Sequence, residues 1–287
     1  MNTRHRYPAA LLAAALALAG CRGRTVAKTP DVQVVQAAAL PSGPHEGTWN
    51  QAPEFEGALL LQDIVEPRLM KASTPSVRVR ALTDGVNVAF RLEWPDATLD
   101  DMPRTGQFSD ACAIQLPVAV SADVPAPQMG EAGRGVEITF WRASWQAVVD
   151  GRPDTIQALY PNASIDHYPF DVPVLAKGSD QRSEAERRYA PARAVGNMMA
   201  GPRTRPVEDL LAQGPGTLVP GPDRQSAGRG ERTPAGWAVV LSRRWPPGLV
   251  PGGRSQIAFA VWEGSHEEAG ARKMRTGWVA LHWKKGA

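Results

Sequence analysis

The side chains of this 287-residue chain that could do chemistry unaided are few: five histidines, two cysteines and some acidic pairs. His266-Glu267-Glu268 sets an imidazole beside two carboxylates, but the second histidine of a helical His-Glu-x-x-His zinc site is missing. No Gly-x-Ser-x-Gly occurs, so a serine nucleophile on a strand-to-helix elbow is not expected. Asp100-Asp101 reads as a solvated turn after Pro95. Cys112, in Ala111-Cys112-Ala113-Ile114, reads as a buried strand cysteine. Without a Cys-x-x-Cys-His, a covalently attached c-type haem of the usual kind is excluded. Two further side chains have unremarkable surroundings by themselves. Met129, among Pro125, Pro127 and Gly130, reads as a loop methionine filling a gap in the core. Lys273, in a run with Glu267, Glu268 and Arg272, reads as a solvated hairpin charge.

The elements that would position these groups are short strands. Val77, Val79 and Ala81 alternate with Arg78 and Arg80; Thr83-Asp84-Gly85 then turns the chain, and Val86, Val88, Phe90, Leu92 and Trp94 alternate again, which predicts a hairpin with one buried face. Similar runs follow at Ala111 to Leu116, Val136 to Trp141, Trp237 to Ser242, Ile257 to Trp262 and Gly277 to Trp283. Only Arg182 to Tyr189 and Val207 to Gln213 offer short helices. Repeated short strands with turn signals predict an all-β chain, specifically a β-sandwich with long Pro/Gly-rich insertions. Of the 41 residues from Gly196 to Gly236, eight are glycine and six are proline, which discourages regular structure there. Ala194 to Asn197 and Pro206 to Leu210 are expected to fold over one end of the sandwich or to cover a sheet edge.

The N-terminus addresses the compartment. Arg4 and Arg6 precede an alanine-leucine run from Ala9 to Ala19, too short for a stable membrane span and suited to a signal-peptide core. It ends in Leu18-Ala19-Gly20-Cys21, which resembles the lipobox of bacterial lipoproteins. Residues 1–20 are then a lipoprotein signal peptide, Cys21 carries the lipid, and residues 21–44, mostly small and polar with prolines, form a flexible tether. The protein is expected to be exported and lipid-anchored to a bacterial membrane, the outer one facing the periplasm, because Arg22 stands where an aspartate would favour inner-membrane retention. Loss of the leader takes Arg4 and Arg6 from 32 basic residues and none of the 29 acids, leaving a formal charge of about +1. The whole-chain pI of 9.0 is thus no sign of nucleic-acid binding. With Cys21 lipidated, Cys112 has no internal disulfide partner.

A resemblance gives these pieces a setting. The stretch Ile257 to Trp283, IAFAVWEGSHEEAGARKMRTGWVALHW, is similar to the C-terminal signature of the haem-binding gamma subunit family of ethylbenzene dehydrogenase and related type II DMSO-reductase-like enzymes. GTWNQAP from Gly47, VRVRALTDGVNVAFRLEWPDAT from Val77 and SDACAIQLP from Ser109 resemble the family's early strands, and PQMGEAGRGVEITFWRASWQ from Pro127 its methionine-glycine turn and tryptophan-rich strand. Coverage is about residues 45 to 150 and 235 to 283. Gln128 stands where the family is more aromatic, while Glu131 supplies the expected acid after Gly130. The segment from about Gly151 to Thr233 is long for the enzyme subunits and looks more like longer, stand-alone members.

The resemblance implies one non-covalent haem b, held in a domain spanning 45–287 with an insertion at about 151–233. Met129 and Lys273 would be its axial ligands, and Trp141, Trp262 and Trp278, with Trp145, would pack the macrocycle. Iron held by a thioether and an amine has no open position, so electron transfer rather than bond-making is implied, and the protein would not itself be an enzyme. Lysine must bind as the neutral amine, which demands dry surroundings. His266, in the same loop, is the nearest rival ligand, with His167 and His282 weaker. The implied partners are a redox protein, namely a molybdenum oxidoreductase, a membrane dehydrogenase or a c-type cytochrome. The early strands also resemble family 9-like carbohydrate-binding modules, and the alternative of a haem-free sugar-binding lipoprotein predicts tryptophans exposed on one face.

Overall fold

The computed structural model describes residues 28–164, 175–195, 197 and 203–284. The leader 1–20, Cys21 and His167 lie outside these residues. In chain order the strands are β1 (Lys28–Thr29), β2 (Val32–Gln36), β3 (Glu54–Ala58), β4 (Leu60–Leu61), β5 (Ser76–Thr83), β6 (Asn87–Pro95), β7 (Ala111–Pro117), β8 (Val136–Arg142), β9 (Val207–Ala212), β10 (Val219–Pro220), β11 (Ala227–Thr233), β12 (Gly236–Arg244), β13 (Arg254–Trp262), β14 (Met274–Arg275) and β15 (Val279–Trp283). The helices are short: α1 (Ala143–Val149), α2 (Ile156–Leu159), α3 (Asp180–Tyr189) and α4 (Pro191–Ala194).

The chain is all-β in character, and eleven strands follow one path, β10-β9-β8-β7-β13-β15-β2-β5-β6-β12-β11, folded into two layers, with β1, β3, β4 and β14 paired beside it. Strand β13 passes from one layer to the other. Its first half, Arg254 to Ile257, pairs with β15, and its second half, Ala258 to Trp262, pairs with β7. The main core lies between the layers. Val34, Val79, Leu92 and Trp94 reach it from the first, and Cys112, Ile114, Leu116 and Trp141 from the second. Each such aliphatic side chain contributes about 1.5–3 kcal/mol through burial. The β5–β6 hairpin matches its sequence signal: the Asp84 carboxylate accepts the amides of Val86 (2.8 Å) and Asn87 (2.7 Å), and Gly85 takes φ +98°.

Three expectations are corrected. The segment 21–44 is not a tether throughout, because β1 pairs with β3 and β2 lies parallel to both β5 and β15, with Val32 and Val34 buried. The domain therefore begins by Lys28 rather than at residue 45. Val207 to Gln213 is not a helix: Val207–Ala212 is strand β9, antiparallel to β8, where cross-strand pairing outweighs a weak local preference. The Gly/Pro-rich stretch around it is likewise not irregular, since β10 and β11 also join the strand path and β9 is part of a layer rather than a cover over its end. The helix expected at Arg182 to Tyr189 is α3, with Ser179 Oγ accepting the Arg182 amide at 3.2 Å. Helix α1 had no counterpart in the sequence pattern.

Candidate functional site

All seven residues of β7 are buried, because both faces of this strand are covered. Cys112, Ile114 and Leu116 enter the interlayer core; Ala111, Ala113 and Gln115 point the other way, into a cavity of about 1160 Å³. That volume is slightly above the roughly 300–1,000 Å³ usual for ligand sites. Strand β8 adds Ile138, Phe140 and Arg142 to the same surface, β13 adds Ala258, Ala260 and Trp262, and β9 adds Glu208 and Leu210. The register sets Ala113 beside Ala260 and Ala111 beside Trp262. The cavity floor is therefore paved with one-carbon side chains, which leave room for a bulky apolar ligand.

Met129 reaches this cavity from the loop joining β7 and β8. Its φ is +66°, uncommon for a residue with a side chain, and Gly130 follows at +76°. Backbone bonds hold the turn: the Gly130 amide donates to Ala126 O (2.9 Å), and Met129 O accepts the Gly214 amide (2.8 Å). Glu131 pairs with Arg134 at 2.9 Å and accepts the Ala126 amide at 3.0 Å. Trp278 Nε1 donates to Pro125 O (2.6 Å) and Gln115 Nε2 to Pro127 O (3.1 Å), tying the loop to β7 and to the β14–β15 connection. A strained backbone fixed by this many partners is the kind of outlier that marks functional positions.

Lys273 enters from the loop between β13 and β14. Its ammonium lies 5.1 Å from the centroid of the Trp262 ring, and no carboxylate among the described residues pairs with it. Burial pushes its pKa down to about 8, with the positive charge of Arg275 adding to the shift. The loop is pinned at several points. Trp262 Nε1 donates to Gly270 O (3.0 Å), and Glu268 accepts the Glu263 amide (3.0 Å) and the Ser73 hydroxyl (2.5 Å). At its base Asp110 accepts from the Gly264 amide, the Asp100 amide and Trp237 Nε1, each at 2.9 Å. Burial raises the Asp110 pKa to about 7. Asp96, Asp110 and Glu263 together form a buried carboxylate group with oxygens within 4.8 Å of one another, and Arg232 approaches Asp96 at 3.5 Å.

The structure thus brings Met129, Lys273 and Trp262 to one cavity. Trp278, expected to pack the macrocycle, is a correction: it does not line the cavity but is half-buried against the same apolar cluster as Met129. Trp141 is a correction. It points into the interlayer core, 5.1 Å from Trp237 and 6.5 Å from Trp94, on the opposite face of β8 from the cavity. A Cβ on Gly230 would come within 2.2 Å of its ring, so glycine there makes room for the indole. Trp145 does line the cavity. Phe140, Arg142 and the alanine floor were not anticipated; Phe140 meets Trp262 and Trp145 edge-on at 5.2 and 5.4 Å. Strand alternation already groups 138, 140 and 142 on one face of β8, opposite 137, 139 and 141. His266 does not line the cavity; it lies 3.3 Å from Glu263 with its side chain 39% exposed. His282 pairs with Asp31 at 3.2 Å on β15.

These donors suit a haem: a soft thioether, an amine whose proton is already loosened, and apolar walls that exclude water. Comparison with known proteins points the same way. The family model described as ethylbenzene dehydrogenase matches residues 46–274. The chain is 24% identical over 262 residues to the ORF7 protein of Haloferax mediterranei, named for a respiratory nitrate reductase heme subunit, covering 89% of this chain and 73% of that one. It is also 24% identical over 285 residues to the chlorate reductase subunit gamma of Ideonella dechloratans, covering 95% and 92%. Among solved structures, a family 9 carbohydrate-binding module from Caldicellulosiruptor kristjanssonii in complex with cellotriose aligns at a TM-score of 0.41 and 9% identity, over 89% of this chain and 94% of that one. So loose a likeness has no bearing on ligand or site.

Proposed function

The chain belongs to the ethylbenzene dehydrogenase family, and on that footing we propose that it is an electron-transfer subunit holding one haem b between Met129 and Lys273. The observation that carries this is the convergence of the two side chains, from separate loops, on one apolar cavity. Bound haem supplies reversible one-electron exchange at its iron. Met129 would offer sulfur, a soft donor suited to the reduced metal, from a turn held by its own backbone hydrogen bonds. Lys273 gives up its proton at modest cost because burial has already lowered its pKa to about 8. Trp262, Phe140 and the alanines keep water from the site. Met129 and Lys273 would hold the haem through sulfur and nitrogen, and haem so held would supply electron relay rather than catalysis.

The electron partner is a molybdenum oxidoreductase or a membrane dehydrogenase on one side and a c-type cytochrome on the other. The names of the relatives, a nitrate reductase heme subunit and a chlorate reductase gamma subunit, support the first of these. Residues 1–20 act as an export signal and Cys21 carries a lipid, which places the domain at the periplasmic side of a bacterial membrane. Six residues lie between Cys21 and β1, and the seven steps they make reach at most about 25 Å, so the domain works close to the bilayer. No nucleic acid is involved. The sugar-binding alternative called for tryptophans exposed on one face. Eight of the nine are buried and Trp278 is half-buried, which weighs against it.

The test is an absorption spectrum of the exported protein, oxidised and dithionite-reduced, with pyridine haemochrome analysis, for wild type, Met129→Ala and Lys273→Ala. A low-spin b-type spectrum in wild type that turns high-spin or vanishes in both variants is expected. No Soret band in protein made with ample haem would overturn the reading.

A further inference from the structure

Six charged side chains line the cavity, and their partners are unevenly shared. Its three carboxyl groups are engaged: Glu66 with Arg68 at 2.7 Å, Glu208 with Arg203 at 3.8 Å, and Glu268 with the Ser73 hydroxyl and the Glu263 amide. The three cations are not. Arg142 has no hydrogen bond or ion pair from its guanidinium among the described residues, and burial lowers its pKa. Among the described residues Arg275 makes a 3.5 Å contact to Thr276 O, and its Nε is buried without a partner there. Lys273 lies over the Trp262 face and has no carboxylate partner among the described residues. Arg142 and Arg275 are half-buried, and a guanidinium partly withdrawn from water beside an apolar cavity gains from an anionic partner.

Their positions fit one use. Arg142 closes β8 opposite Ala111, and Arg275 pairs across β14 with Ala260, so both flank the alanine floor. Each guanidinium can donate two parallel hydrogen bonds to a carboxylate, a match that lysine lacks. We propose that Arg142 and Arg275 bind the two propionate carboxylates of the haem and so fix the edge of the macrocycle that faces them. Thus the Met129 and Lys273 loops would hold the iron, and the two arginines would fix the orientation of the macrocycle. The proposal rests on the haem reading above and assigns two residues that the axial pair leaves unused.

The test uses the full chain, freed of haem, and two ligands: haemin and haemin dimethyl ester, whose carboxylates are masked. Binding is followed by Soret absorbance for wild type, Arg142→Gln and Arg275→Gln. Wild type should bind haemin at least about 30-fold more tightly than the ester, as expected for loss of charge-assisted hydrogen bonds. Each variant should lose about tenfold in haemin affinity, leave ester affinity unchanged and keep a low-spin spectrum. That last feature separates loss of a carboxylate partner from loss of an axial ligand. Equal wild-type affinity for haemin and ester would overturn the proposal while leaving the haem reading intact, and needs no variant to fold. Variants that weaken both ligands alike would overturn it as well, assigning the arginines to scaffold. Wild type binding neither ligand would overturn the haem reading and this proposal with it.

Discussion

Gly130 and Gly133 allow the turn that carries Met129 to be tested by two matched substitutions. Both adopt left-handed backbone, at φ +76° and +79°. An alanine at either position therefore incurs about 1–2 kcal/mol of conformational strain. Their surroundings differ. A Cβ at Gly133 would meet nothing within 4 Å, whereas at Gly130 it would stand 2.8 Å from Arg134 O, 3.2 Å from Ala212 O and 3.3 Å from Val136 N. These are backbone atoms, and two of them belong to β9 and β8, so they cannot rotate aside as a side-chain tip would. Shifting a packed backbone adds about 1–3 kcal/mol, the usual cost of overpacking. Gly133→Ala should thus cost about 1–2 kcal/mol and Gly130→Ala about 2 kcal/mol more, measured by urea unfolding at constant m. The displaced strand ends should also move the thioether, so Gly130→Ala alone should weaken haemin binding. Equal unfolding free energies for the two variants would refute the reasoning, because they would show that the three backbone atoms yield without cost.

Other outcomes follow from the burial of charge and of the first strands. Glu137 pairs with the fully buried Arg243 and accepts Arg224 Nη2 at 2.5 Å, so Glu137→Gln should cost about 3–5 kcal/mol in chemical denaturation, and a loss under 1 kcal/mol would contradict that role. The Asp110 pKa is raised to about 7 in the fold from an ordinary value of 3.8, so between these limits the folded state holds the extra proton and stability falls as pH rises, by at most about 1.4 kcal/mol per pH unit, levelling off above 7. Comparing denaturation midpoints at pH 5 and pH 8, Asp110→Asn should show the shallower dependence; parallel profiles would argue against this origin. Deleting residues 28–36 should abolish cooperative folding, since β2 fills the gap between β5 and β15, and a cooperative thermal transition in the truncated protein would show that the segment is dispensable.

Local signals were legible where a structure closes on itself within a few residues. The Asp84-Gly85 turn names its own hairpin, because the aspartate caps the amides that follow it and glycine supplies the positive φ. Strand β2 was hidden for the opposite reason: VQVVQ is only five residues, and its partners lie far away in the sequence. Trp141 was misplaced because alternation groups residues by face without saying which face looks inward. Where both faces are buried, as on β7 and β8, hydrophobicity offers no vote. Met129 and Lys273 carried no mark of their own, reading as gap filler and surface charge; only the family resemblance singled them out. Arg142 could not be told from any strand-end arginine until its neighbours were known to lack an acid.

The parallel seating of β2 between β5 and β15 bears on how the chain reaches its native state. Val32 pairs with Leu281, 249 positions further along, so β2, the second strand in chain order, must wait for the fifteenth, β15. Closing so long a loop is entropically slow, and proteins dominated by such distant pairings fold late and cooperatively. Until β15 arrives, β5 and β13 present open edges, the state most exposed to aggregation and proteolysis. On the export proposed above the chain would cross a membrane unfolded, and that delay would be an advantage: the sheet cannot be sealed until β15 has crossed.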